Sequence, residues 1–119
     1  MKPGILLFGH GSRDPLWRLP IEAVASAILT RDPAAQVRCA YLELSAPDLS
    51  TAGADLANAG VTAMRVFPLF LGVGKHARED LPKLVAQLQA EHPGIPVELM
   101  PAAGEDARLT ALLADIALG

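Results

Sequence analysis

Apolar residues along this chain alternate between two patterns: short unbroken runs, and stretches that repeat every three to four residues. Ile5 to Phe8 is an unbroken run between Gly4 and Gly9, which predicts a strand covered on both faces. Ile21, Val24, Ala25 and Ile28 follow the i, i+3, i+4, i+7 rule and predict a helix that ends near Arg31-Asp32-Pro33. Its start falls between Leu16 and Pro20, because Pro15 suits a first turn whereas Pro20 would kink a helix begun much earlier. Gln36 to Glu43 predicts a second strand, ending in a carboxylate. Ser45 is the expected N-cap of the next helix, with Pro47 in the first turn and Asp48 completing a variant of the capping box. Leu49, Ala52, Gly53 and Leu56 form that helix's buried face, and Gly60 is its C′ residue. Ala63 to Phe70 predicts a third strand, and Pro68 marks where pairing stops, since proline donates nothing to a ladder. Leu81, Leu84, Val85 and Leu88 predict a third helix with Asp80 as N-cap and Pro82 in its first turn, stopped by His92-Pro93-Gly94. Ile95 to Met100 predicts a fourth strand, and Leu109, Leu112, Leu113 and Ile116 a last helix.

Four strand–helix units predict an α/β fold in one domain, residues 1–119, with a four-stranded parallel sheet, right-handed crossovers and helices on both faces. In open sheets of this kind ligands bind beyond the carboxyl ends of the strands, where successive connections leave toward opposite faces. With strand order 2-1-3-4, that point lies between strands 1 and 3. The first runs into Gly9-His10-Gly11-Ser12-Arg13, and the third runs through Gly72 and Gly74 into Lys75-His76-Ala77-Arg78-Glu79-Asp80. Two strand exits therefore deliver a histidine to one crevice, and Glu43 comes out on the same rim.

Composition narrows the chemistry. Residues are 51% hydrophobic and only 4% aromatic, so Ala, Leu and Val must build the interior of a folded domain. Ten basic and 13 acidic residues give a net charge of −3 with no basic run, which argues against nucleic acid or an anionic membrane as partner. Local arginines remain able to hold one acidic small molecule. Cys39, the sole cysteine, excludes an intrachain disulfide and a thiolate cluster, and suits a reducing, cytoplasmic setting as a small core residue. Met1-Lys2-Pro3-Gly4 enters the first apolar run without a signal-peptide pattern, and no apolar stretch is long enough to span a membrane.

Each candidate has an ordinary structural explanation as well. A single histidine after a strand is usually a hydrogen-bonded structural residue; the pair, brought together by topology alone, points to function. The flanking glycines satisfy turn chemistry and also let a flat ligand approach the backbone. Gly9 to Arg13 resembles an anion cradle, with Ser12 and Arg13 available to a carboxylate or phosphate, but it lacks the ending of a phosphate-binding P-loop. Ser12 lacks the elbow of a hydrolase nucleophile. Glu43 can be a solvated strand end, and Lys75, Arg78, Glu79 and Asp80 the charged first turns of a helix. His92 suits a helix cap. Two imidazoles and a carboxylate suit Co²⁺, Ni²⁺, Fe²⁺ or Zn²⁺ and fall short of a closed four-ligand cage, so such a site can release its ion. Leu69 to Val73, apolar and next to His76, should line a pocket wall or meet a second subunit.

Phe8-Gly9-His10-Gly11-Ser12-Arg13, Tyr41-Leu42-Glu43 and the stretch from Pro68 to Pro82 closely resemble the small sirohydrochlorin cobaltochelatases of the class II chelatase superfamily. The likeness spans nearly the whole chain. It implies a chelatase-like, flavodoxin-like domain that inserts Co²⁺, or in related members Fe²⁺ or Ni²⁺, into sirohydrochlorin or a related reduced tetrapyrrole rich in carboxylates, as in cobalamin or siroheme biosynthesis. It also implies a homodimer and no organic cofactor. His10 and His76 would be metal ligands and proton acceptors, and Glu43 a base or third ligand. By their charge and location, Ser12, Arg13, Lys75 and Arg78 are the candidates to hold the substrate's carboxylates. A non-catalytic metal-delivery or tetrapyrrole-binding protein, and a nucleotide binder using the His10 loop, are the competing readings.

Overall fold

The computed structural model describes residues 3–119; Met1 and Lys2, on which part of the leader reading rested, lie outside the described residues. In chain order the elements are β1 (Gly4–Gly9), α1 (Leu19–Arg31), β2 (Val37–Tyr41), α2 (Leu49–Asn58), β3 (Met64–Pro68), α3 (Lys75–Glu91), β4 (Val97–Leu99) and α4 (Ala107–Leu118). Short 3₁₀ turns at Pro15–Arg18 and Ala103–Glu105 precede α1 and α4. All pairing is parallel, in the order β2-β1-β3-β4. β1 is central, with Phe8 opposite Ala40 on one side and Pro68 on the other. The expected topology is therefore present, and the exits of β1 and β3 lie side by side.

Alternation along β1 divides the interior. Leu6 and Phe8 join Leu49, Ala52, Leu56, Met64, Val66, Phe70, Ala77, Leu81 and Leu88 in a large core under α2 and α3. Leu7 points to the other face, where Ile21, Val37 and Tyr41 form a smaller cluster under α1. Gly53 allows α2 and α3 to meet: a Cβ there would stand 2.4 Å from Leu88 Cδ1. Among the described residues no helix is long and apolar enough to cross a membrane.

Several element ends differ from the expectation. β2 is shorter, ending at Tyr41, and β4 is confined to Val97–Leu99, while the pairing of β3 stops at Pro68 as expected. α1 begins at Leu19, within the expected window, and Gly60 takes the positive φ of a C′ residue. Asp48, not Ser45, caps α2, its carboxylate accepting from Thr51 N at 2.8 Å. Pro47 accordingly lies before the helix, and its carbonyl accepts from Tyr41 N at 2.9 Å. α3 starts at Lys75 with Gly74 as N-cap, so Asp80 and Pro82 lie inside it rather than at its start. The physical reason is Ala77: buried like Leu81 and Leu88, it extends the apolar stripe one turn back and holds the extra turn against the core.

Candidate metal and substrate site

The C-terminal ends of β1, β2 and β3 form the rim. Beyond β1 and β2 the chains stay joined, Leu42 N donating to Gly9 O at 2.9 Å and Glu43 N to His10 O at 3.0 Å. Glu43 is thus tied through its backbone to His10. Gly11 has φ +99°, and a Cβ there would lie 1.6 Å from Glu43 O, so only glycine fits. Ser45 Oγ accepts from Ser12 N at 3.1 Å and donates to Ser12 O at 2.8 Å. Ser12 Oγ in turn accepts from Asp14 N at 3.1 Å, and the Asp14 carboxylate accepts from Leu16 N at 2.9 Å, which leads the loop into α1.

The His10 imidazole is exposed on one side and stacks on Phe70 on the other, with ring centroids 4.2 Å apart and planes 22° from parallel. Phe70 is itself buried and touches Phe8. Beside His10 opens a cavity of about 420 Å³ lined by Trp17, Ile21, Val24, Leu69, Phe70 and Leu109, among others. The Leu69 to Val73 segment therefore meets one half of its expectation: Leu69, Phe70 and Leu71 form a wall of this cavity. Leu71 stays 69% exposed.

Trp17 has no place in the sequence reading of the site, although a lone tryptophan in an aromatic-poor chain, just after the His10 loop, was the available signal. It packs edge-on against Tyr41, centroids 6.0 Å apart. Desolvation raises the Tyr41 hydroxyl above its ordinary pKa and does the same to the Cys39 thiol nearby, so neither supplies an anion to this wall.

His76 stands in the first turn of α3, next to Lys75, all exposed. Arg78 lines a different hollow of about 410 Å³ with Pro68, Val73, Leu99, Met100 and Glu105, on the β4 side. His76, Glu43, Ser12, Arg13 and Lys75 lie outside the lining of the His10 cavity. Among the described residues no group of three His, Cys, Asp or Glu side chains converges closely enough to hold a metal ion. What one chain brings together is His10, an aromatic platform, an apolar cavity and a rim that carries cationic side chains at its edges.

A parallel sheet in this order, with His10 at the exit of β1 and His76 in the first turn of the helix that follows β3, has the arrangement of a chelatase-type α/β domain. The CbiX family model matches residues 4–117, and the chain belongs to the CbiX family. It is 34% identical over 84 residues to a sirohydrochlorin cobaltochelatase of Methanococcoides burtonii, a match that covers 71% of this chain and spans 64% of that relative's length. The crystal structure of a CbiX protein from Marinobacter aquaeolei VT8 shares the fold with a TM-score of 0.86 and 32% identity, covering 99% of this chain and 93% of that one. The sirohydrochlorin chelatase SirB of Bacillus subtilis subspecies spizizenii, solved in complex with cobalt, matches with a TM-score of 0.78 and 28% identity. That match takes in 98% of this chain and only 52% of SirB.

Proposed function

We propose that this protein is a sirohydrochlorin chelatase that inserts Co²⁺ into the reduced tetrapyrrole, with Fe²⁺ and Ni²⁺ as the alternative ions. The observation that carries the reading is the stacked, half-open His10 at the mouth of an apolar cavity. A flat macrocycle fits against apolar walls with its carboxylates turned outward, toward Ser12, Arg13 and Lys75, while Arg78, in the hollow on the β4 side, holds a carboxylate that reaches that far. The family membership and the cobaltochelatase and cobalt-bound relatives support the same substrate and metal.

Metallation exchanges two pyrrole protons for one divalent ion. His10 and His76 present the metal as a loosely held substrate and take up those protons as the ion leaves them, since a ring-nitrogen lone pair holds either the ion or a proton and cannot hold both at once. Glu43, tied by its backbone to His10, acts as a base or a transient ligand. The protein needs no organic cofactor for this exchange, because no electron changes hands.

The active unit is a homodimer, formed in the cytoplasm. Every residue from Thr110 to Gly119 is exposed, and α4 buries none of its side chains. Leu112, Ile116 and Leu118 are 54%, 67% and 87% exposed, and Leu29 and Val24 of α1 are exposed on the same side of the sheet. Val24, Phe67, Leu69, Leu109 and Leu112 line one groove there of about 370 Å³. An apolar face of this extent marks an interaction surface. A second copy is the fitting occupant, because this chain accounts for about half of SirB.

Purified protein, sirohydrochlorin and each of Co²⁺, Ni²⁺ and Fe²⁺ are mixed in parallel and the absorption change followed. Acceleration over the spontaneous reaction, lost in His10→Ala and His76→Ala variants that keep their fold, is the expected outcome. No acceleration with any ion rejects the enzyme, and tight tetrapyrrole or metal binding without faster metallation selects a delivery protein instead.

A further inference from the structure

The connection Glu43–Ser45 does more than lead from β2 to α2. Its expected duty, an N-cap at Ser45, belongs to Asp48. Ser45 instead spends both hydrogen-bonding functions of its hydroxyl on the main chain of Ser12, 33 residues away: Oγ accepts from Ser12 N at 3.1 Å and donates to Ser12 O at 2.8 Å. These two bonds continue the β1–β2 ladder past its end. The last backbone rungs are Leu42 N to Gly9 O and Glu43 N to His10 O, and the next is made by a side chain.

Reaching that position distorts the chain. Leu44 adopts φ +62°, the only non-glycine residue with positive φ among the described residues, and Ser45 N folds back onto Glu43 O at 2.7 Å. A leucine held in the left-handed region is a strained residue that surrounding bonds must over-determine, and such residues cluster where a site is pre-organised. Opposite it, Gly11 leaves no room for a Cβ against Glu43 O. Both loops are therefore shaped to fit each other.

We infer that Ser45 is a positioning residue: its hydroxyl clamps the Ser12 backbone so that His10 stays over Phe70 and in fixed relation to Glu43. With its hydroxyl committed to the Ser12 main chain, Ser45 is assigned no contact with metal or macrocycle. Its effect passes through the two bonds to Ser12, two residues after His10 and one before Arg13. Removing the hydroxyl leaves a part-buried N–H and C=O without their partner and frees the His10 loop on the side away from Phe70. The inference rests on the chelatase reading for its consequence in catalysis, while the clamp itself is testable without any activity.

Three measurements decide it. In the wild-type protein, without metal, the Ser12 amide is expected to exchange with deuterium far more slowly than an exposed amide; free exchange overturns the clamp. In Ser45→Ala the His10 ring protons, shifted upfield by the Phe70 ring in the wild type, are expected to move toward their solvent-exposed positions, and Ser45→Thr, which keeps the hydroxyl, is expected to restore them. Ring shifts unchanged in Ser45→Ala, or lost equally in both variants, overturn the inference. In the metallation assay Ser45→Ala is expected to lower kcat by about 10-fold or more with KM for the tetrapyrrole altered less than about threefold, as a small misplacement of a reacting group would, and Ser45→Thr to recover most of it. A fall in kcat with a large rise in KM and no recovery in Ser45→Thr reads as general damage and rejects the positioning role. If the wild type fails to metallate, the chelatase reading falls and the exchange and ring-shift results still stand or fall by themselves.

Discussion

His10 and Phe70 lie with their rings stacked, 4.2 Å between centroids and 22° between planes, which joins the exit of β1 to the exit of β3 through a side-chain contact. Phe70 is held from below by Phe8, so the platform under the imidazole is part of the core and does not move with the loop. An aromatic pair of this kind contributes about 1 kcal/mol beyond the area it buries. Phe70→Leu keeps the site apolar and removes the platform. It is expected to cost about 1–2 kcal/mol in urea unfolding and to lower metallation kcat/KM by about 10-fold; a variant with wild-type turnover would show that the imidazole orients without the stack.

Gly11 admits no side chain. With a Cβ placed 1.6 Å from Glu43 O, Gly11→Ala must push the β1 and β2 exits apart. The expected result is loss of most metallation activity with the far-UV circular dichroism spectrum retained, because the collision lies on the rim and outside both clusters of the core. Full activity in this variant would mean that the two loops are free to separate without consequence.

The caps of α2 and α4 give the protein an acid-sensitive component. Asp48 accepts from Thr51, whose side chain and backbone lower its carboxyl pKa, and Asp106 is held at about 2 by Arg108. Both folded values lie below the ordinary carboxylate value of 3.8. The stabilisation is therefore fully present above the unfolded pKa and is lost as pH falls through the folded one, for Asp106 between about 4 and about 2. Asp48→Ala is expected to lower stability by about 1 kcal/mol at pH 7. The gap from wild type should close as the pH drops below the carboxylate range; a gap constant down to pH 2 would assign the loss to something other than the charged cap.

The bare face of α4 sets a test of assembly. Leu112→Asp with Ile116→Asp places two charges at positions more than half exposed on a helix with no fully buried residue, so the monomer's fold is expected to survive. Analytical ultracentrifugation is expected to give a dimer for the wild type and a monomer for the double variant at micromolar concentration. A double variant that remains dimeric would move the interface away from α1 and α4.

The legible part of this structure was the part governed by neighbours in sequence. Leu6 and Phe8 announce a buried strand, and Leu49, Ala52, Gly53 and Leu56 announce a helix face; both are present. The expected strand order, 2-1-3-4, is the order of the sheet, and it sets the exits of β1 and β3 side by side. Element ends were less legible. The sequence places the N-caps at Ser45 for α2 and Asp80 for α3, where the structure has Asp48 and Gly74; local pattern does not choose between two chemically acceptable caps.

Sequence alone determined the alternation of strands and helices, the sheet they form, and which polar residues stand at its carboxyl edge, because periodicity and turn chemistry act over a few residues. Tertiary structure decided the rest. It gave the cap of α2 to Asp48 and turned Ser45 toward Ser12, a contact across 33 residues that no local rule contains. It drew α3 back to Lys75 because Ala77 had a core to enter, and it set Phe70 beneath His10. It also left the apolar face of α4 largely exposed among the described residues, since burial depends on what lies opposite a residue in space and not on the residue alone.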